Sequence, residues 1–215
     1  MGKSKELATL TDVGGTIDGA LNINGNNSKI SASNNHLILH DTAETDTGSN
    51  WWYIYRNNGK AGALSFYRGV DRMTIDASGR VTMPYQAGFA AYSPATGTGG
   101  QNPIVYGSTY HNIGNHYNTS TGIFTAPIAG RYLFTASCLF NYSSGAYHRL
   151  DFRLNGSVYN SYGETLENQA GPSYSSATIS NIFSLNANDT MQMWNGSNTT
   201  TYGSSYGHFS GIMLA

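Results

Sequence analysis

The chain has 215 residues, room for one large or two small domains, and 39 % of them are hydrophobic, enough for a packed core and too many for wholesale disorder. Lys, Arg, Asp and Glu make up only 11 % and the net charge is −1, against about 25 % charged residues in ordinary soluble domains. That balance offers no basic stripe for nucleic acid, no stretch nears the ~18 apolar residues of a membrane span, and the single cysteine, Cys138, excludes an intrachain disulfide framework.

From the N terminus, MGKSKELATL carries two lysines but no apolar block and is not expected to be a secretory signal. Helical periodicity is almost absent, whereas alternation with period two, punctuated by Gly, Asn and Asp, predicts an all-β chain. ALNINGNNSKISASNNHLILHD breaks into short alternating runs. WWYIYRNNGKAGALSFYR predicts a hairpin around Asn-Asn-Gly, with Gly59 at the positive-φ position. RMTIDASGRVTMP predicts another, turning at Asp-Ala-Ser-Gly between Met73–Ile75 and Val81–Met83. Such small hairpins bury little by themselves, so an intertwined homo-oligomeric stem is expected over residues 1–85. Trp51 and Trp52 face opposite sides of their strand, so at least one is expected to be buried there.

All five prolines lie at or beyond position 84 and all four lysines at or before position 60, which places a boundary near Met83–Gln86. Beyond it the strands lengthen. In RYLFTASCLF, Tyr132, Phe134, Ala136, Cys138 and Phe140 share one face, and Cys138 reads as a buried, inert thiol. RLDFRLNG points Leu150, Phe152 and Leu154 inward and Arg149, Asp151 and Arg153 outward. ATISNIFSL groups Ala177, Ile179, Phe183 and Leu185, interrupted by Asn181, and HFSGIMLA closes the chain. These strands predict a sandwich or jelly roll over residues 86–215.

YNTSTGIFTAPIAGRYLF (117–134) resembles the signature of the complement C1q-like globular domains, relatives of the tumour-necrosis-factor family. Thr121, Gly122, Phe124, Ala126, Pro127, Gly130, Tyr132 and Phe134 occupy the pattern Thr-Gly-x-Phe-x-Ala-Pro-x-x-Gly-x-Tyr-x-Phe. RLNG (153–156), SLNANDT (184–190) and HFSGIMLA (208–215) follow in family order, with Asn188-Asp189 where relatives often have Gly-Asp. The resemblance implies a jelly-roll head that assembles as a compact homotrimer. Gly122 and Gly130 suit turn conformations closed to other residues. Separately, the stretch from Asn34 to Pro84 is similar to the shaft repeats of bacteriophage tail fibres, with their Trp-x-Ile strand and closing Met-Thr-Ile-Asp-x-x-Gly-x-Val. Shafts of that kind are also trimeric.

Strand parity then predicts which end of the head is free. With antiparallel strands and the chain entering and leaving at the stem end, the tight turns at 155–156 and 186–189 fall on the stem side. The connections 141–148, 162–173 and 195–207 fall at the far tip. They read NYSSGAYH, YGETLENQAGPSY (to Tyr174) and NGSNTTTYGSSYG, rich in Tyr, Ser, Gly and Asn as in antibody paratopes. Carbohydrate suits such loops, with tyrosine stacking on ring faces beside Asn and Ser hydrogen bonds. Tyr142, Tyr147, His148, Tyr162, Glu164, Asn168, Tyr174, Asn198, Tyr202 and Tyr206 are the expected receptor or glycan contacts.

Catalysis and metal binding find less support. A glycosidase needs two carboxylates about 5–9.5 Å apart, and the head has only Asp151, Glu164, Glu167 and Asp189. Asp151 reads as a solvated strand face or trimer ion pair, and Asp189 as a turn former. No Gly-x-Ser-x-Gly elbow is present, so no enzyme is expected. His36 and His40 stand about 13 Å apart on a strand at ~3.3 Å per residue, too far for one ion; His111 and His116 read as structural. Some C1q-like heads bind calcium near the axis, but no carboxylate cluster marks such a site, so no cofactor is expected and calcium is the one candidate the resemblance brings. Trp194 faces away from Met191 and Met193, towards a neighbouring subunit or solvent.

The expectation is therefore a homotrimeric phage tail-fibre tip, carried on the virion and exposed to the extracellular medium, that binds a host cell-surface glycan or protein receptor through its distal loops. Its other partners are upstream tail proteins; neither nucleic acid nor membrane insertion is expected. The alternatives are a non-catalytic trimerisation or capping module and a secreted C1q-like lectin.

Overall fold

The computed structural model describes residues 36–39, 51–94, 102–141, 148–165, 174–197 and 200–215. Its first sheet is an antiparallel meander of five strands in chain order: β1 (His36–Leu39), β2 (Trp52–Asn57), β3 (Ala63–Arg68), β4 (Val70–Ile75) and β5 (Val81–Thr82). The β2–β3 hairpin forms as predicted, but its turn differs. Asn58–Lys60 make one 3-10 turn, and the left-handed residues are Ala61 and Gly62, not Gly59. Gly62 takes φ +79°, which selects glycine there, while its nearest neighbour is the movable Arg56 guanidinium. The Asp76 turn is as expected: its carboxylate accepts from the Ser78 and Arg80 amides and pairs with the Arg80 side chain, while Gly79 takes φ +80°. Among the described residues neither tryptophan is fully covered: Trp51 is half-buried and Trp52 is exposed, because there their sheet forms a single layer.

After residues 83–87 the chain enters a sandwich of two five-stranded antiparallel sheets. The first has the order β13-β10-β15-β6-β7 and the second β12-β11-β14-β9-β8. Their ranges are β6 (Gly88–Pro94), β7 (Tyr106–Ile113), β8 (Tyr117–Asn118), β9 (Ile123–Thr125), β10 (Gly130–Asn141), β11 (His148–Leu154), β12 (Ser157–Thr165), β13 (Tyr174–Leu185), β14 (Thr190–Asn195) and β15 (Thr201–Met213). This is the predicted jelly-roll arrangement. Alternation builds the core, with Tyr132, Phe134, Ala136, Cys138 and Phe140 of β10 fully buried and meeting Leu150, Phe152, Met191 and Met193 from the opposite sheet. Phe134 sits centrally, its ring within 6.5 Å of those of Phe89, Phe124, Phe152, Phe183 and Phe209. Burial pushes the Cys138 thiol up to about 12, so it is inert as expected.

Hydrogen bonds sort the connections to two ends. At one end the Ala126 amide donates to Asp189 O and Asn188 N to Ala126 O; Asn155 Nδ2 donates to Asp189 Oδ1; Arg131 N donates to Ala215 O; and Met213 N donates to Ala87 O. The chain enters and leaves the sandwich here, with the tight turns gathered around it. Asn188 adopts φ +70°, a left-handed conformation that asparagine tolerates. Gly122 has φ +73° as predicted, whereas Gly130 is required by space: a Cβ there would lie 2.5 Å from the Ala215 carbonyl. At the opposite end Asn141 N donates to Thr200 O, Gly196 N to Arg149 O, and Asn195 N to Asn102 Oδ1.

Candidate binding surface

β13 and β15 both flank β10, so they carry the residues at their free ends into proximity. Tyr174 opens β13 opposite Asn141, and Tyr202 pairs with Leu139. The Tyr174 and Tyr202 rings meet edge-on at 4.9 Å and Tyr202 lies 5.6 Å from Tyr206, giving a row of three exposed phenols. The hydrogen bond with Tyr202 holds the Tyr174 phenol above the usual tyrosine range. Such a row presents apolar faces and hydroxyls together, the combination that stacks on a sugar ring or packs into a protein partner.

Tyr206 also lines a groove of about 490 Å³ on the outer face of the β10-containing sheet, with Tyr92, Tyr110, Ser137, Thr178 and His208 around it. Tyr92 and Tyr110 stack at 4.3 Å, and His208 Nδ1 lies 2.7 Å from Ser137 Oγ. Burial lowers the His208 pKa, favouring the neutral imidazole. Towards the entry end the same face exposes Ile182 and Ile212 beside Leu133. Along the outward positions of β10 (133–139), β13 (176–182) and β15 (206–212) there is no Asp, Glu, Lys or Arg. Sequence reading did not single out Tyr92, Tyr110 or His208 because they lie on strands rather than loops. Their period-two placement was the available signal.

Of the expected contacts, Tyr174, Tyr202 and Tyr206 come together at the surface. Tyr142, Tyr147, Asn168 and Asn198 lie outside the described residues. Tyr162 and Glu164 stand in β12, opposite Asp151 and Arg149, because that strand runs on to Thr165 where a loop was expected. β15 likewise starts at Thr201 and absorbs half of the predicted 195–207 connection. His148 is a correction: it begins β11, is fully buried, and stacks on Phe140 at 5.1 Å. An inward strand position removes it from the surface.

Asp151 is a second correction. It occupies the outward register of β11 as expected but is fully buried, held by Arg149 Nε at 2.9 Å and Nη2 at 3.2 Å. Arg153 lies over the Trp194 ring at 3.7 Å, which keeps that indole on the outer face. Asp189 forms the turn predicted for it, accepting from the Asn186 amide and Asn155 Nδ2, and these bonds lower its pKa. Among the described residues no group of three or more His, Cys, Asp or Glu side chains is arranged to hold a metal ion.

The C1q domain family matches residues 88–214. No curated protein matches the chain. Among solved structures, the globular domain of zebrafish complement 1qA protein aligns at 12 % identity and TM-score 0.49, over 60 % of this chain and 98 % of its own. Eiger TNF from S. frugiperda aligns at 9 % and 0.46 over 60 % and 93 %, and murine APRIL at pH 8.0 at 12 % and 0.44 over 60 % and 99 %.

Proposed function

The chain belongs to the C1q domain family, and from that premise we propose that it is a homotrimeric, non-enzymatic recognition head at the end of a fibre, binding a cell-surface glycan through the tyrosines at its free end. The observation that carries this reading is the Tyr174–Tyr202–Tyr206 row, exposed at the end of the sandwich farthest from chain entry. Assembly favours the outer face of the β10-containing sheet. Its part towards the entry end, where Leu133, Ile182 and Ile212 stand among uncharged side chains with Arg131 at the edge, gains from burial against another copy with no carboxylate or ammonium to desolvate, and such a contact leaves the tyrosine row outside it. Three sites on one head then convert weak stacking into avidity.

The tail-fibre reading belongs to the same proposal: the Trp-x-Ile and Met-Thr-Ile-Asp segments resemble phage shaft repeats, and a head on such a shaft sits on the virion, facing host cells and joined to upstream tail proteins. The experiment replaces Tyr174, Tyr202 and Tyr206 by alanine, together and singly, and measures binding to host cells and to a glycan array. The triple variant is expected to keep its mass and lose at least tenfold in apparent affinity, since one stacked ring contributes on the order of 1 kcal/mol. Unchanged binding by an intact assembly overturns the tip reading and leaves the capping-module alternative, in which the charge-free sheet face serves assembly alone.

A further inference from the structure

The two faces of the β1–β5 sheet are built differently. On one, Asp71 accepts from the Tyr55 hydroxyl at 3.3 Å and Asn57 Nδ2 at 3.2 Å and pairs with Lys60 Nζ at 2.8 Å. The Tyr67 ring meets Tyr53 and Tyr55 edge-on, and Ser65 beneath them is fully buried. That face is closed by its own side chains. The other is apolar. Cross-strand partners share a side, so the register Ile54↔Phe66, Leu64↔Ile75 and Ile75↔Val81 puts these residues on one surface, joined by Trp52 two positions before Ile54. The two arginines of this face, Arg56 and Arg68, stand at its opposite ends. Among the described residues nothing covers it: Leu64 is 41 % and Val81 56 % exposed. A single sheet layer with a bare apolar face is not a stable domain architecture.

We propose that this face is covered by other copies of the same chain, three sheets packing their apolar faces inward as a three-sided prism. The proposal rests on the trimeric reading of the head. Continuity identifies the occupant. Past Val81 the surface runs through exposed Met83 and Tyr85, whose ring carries the Arg72 guanidinium at 4.8 Å, to a groove of about 490 Å³ at the base of the head, lined also by Arg72, Ile128 and Leu214. Beyond Arg131 at the edge, Ile212 then continues it onto the uncharged stretch of sheet face already assigned to self-assembly. One symmetric assembly therefore covers both. It needs no strand exchange between chains, because each strand pairs with its sequence neighbour within one chain.

The test uses the full chain carrying Leu64→Cys or Val81→Cys on the apolar face, or Lys60→Cys on the polar one. A short bis-maleimide is read on denaturing gels beside light scattering. Cys138 is buried and silent. Both apolar-face substitutions lie at exposed positions, so either can report if the other misfolds. The expected result is a trimer in which the apolar-face thiols link chains at least fivefold more efficiently than Lys60→Cys. A trimer in which Lys60→Cys links and the apolar-face variants do not overturns the prism while leaving the head assembly standing. Protection of the Leu64→Cys thiol without any interchain link also overturns it, assigning the cover to another segment of the same chain. A monomer overturns the assembly reading itself.

Discussion

At the scale of single residues, the signature positions act through backbone geometry and close approach. Gly122 combines φ +73° with a carbonyl, Ile104 O, 2.8 Å from where a Cβ would stand. Gly122→Ala is therefore expected to lose at least about 1–2 kcal/mol, the left-handed penalty alone, and to lower the thermal midpoint by several degrees in a circular-dichroism melt. Asp189 makes a pH prediction. Its folded pKa is depressed by Asn155 and Asn186, so between the folded and unfolded pKa values the unfolded chain binds the extra proton. Its contribution is full above the usual carboxylate range near 3.8 and is lost as pH falls through the lower, folded value. Asp189→Ala should flatten that part of the acid limb in denaturant titrations; an unchanged limb refutes the linkage. Gly122 and Asp189 were legible in the sequence because turn chemistry is local. The burial of His148 was not, because the same Tyr-His pair suits a loop tip or a strand start, and only the pairing of β11 decides between them.

At the scale of elements, period-two patterning predicted inward and outward sets along β10, β11 and β13, and the core follows them. It does not tell whether an outward residue is solvated. Asp151 stands at an outward register position yet is fully buried beside Arg149. Arg149→Ala leaves that carboxylate uncompensated and is expected to cost about 3–5 kcal/mol in urea unfolding, whereas replacing both partners by apolar residues of similar size should recover most of the loss. If Arg149→Ala is nearly neutral, the pair carries no such role. Core truncation is expected to be comparably costly: Phe134→Ala, at the meeting point of six other rings, should lose about 3–5 kcal/mol. Strand ends escaped the pattern. β12 and β15 run into segments rich in Tyr, Ser and Gly, whose composition reads as loop although long ladders hold them as strands.

At the scale of the whole molecule, the expected outcome is a solution mass three times the 23.1 kDa chain, independent of concentration over the micromolar range and unchanged by a chelator, measured by light scattering. A stable monomer contradicts both the head assembly and the stem prism; a mass that falls with chelator returns calcium as an axial ligand. The sequence by itself determined the all-β class, the jelly-roll core residues, the turns at Asp76, Gly122 and Asp189 and the family, because alternation and turn preferences are local and repeat along the chain. Only the tertiary structure decided which tyrosines meet, that Asp151 and His148 are buried, and that the apolar face of the first sheet is left uncovered among the described residues. Those properties arise from pairing between strands far apart in sequence, where one register decides what a side chain faces and composition is silent.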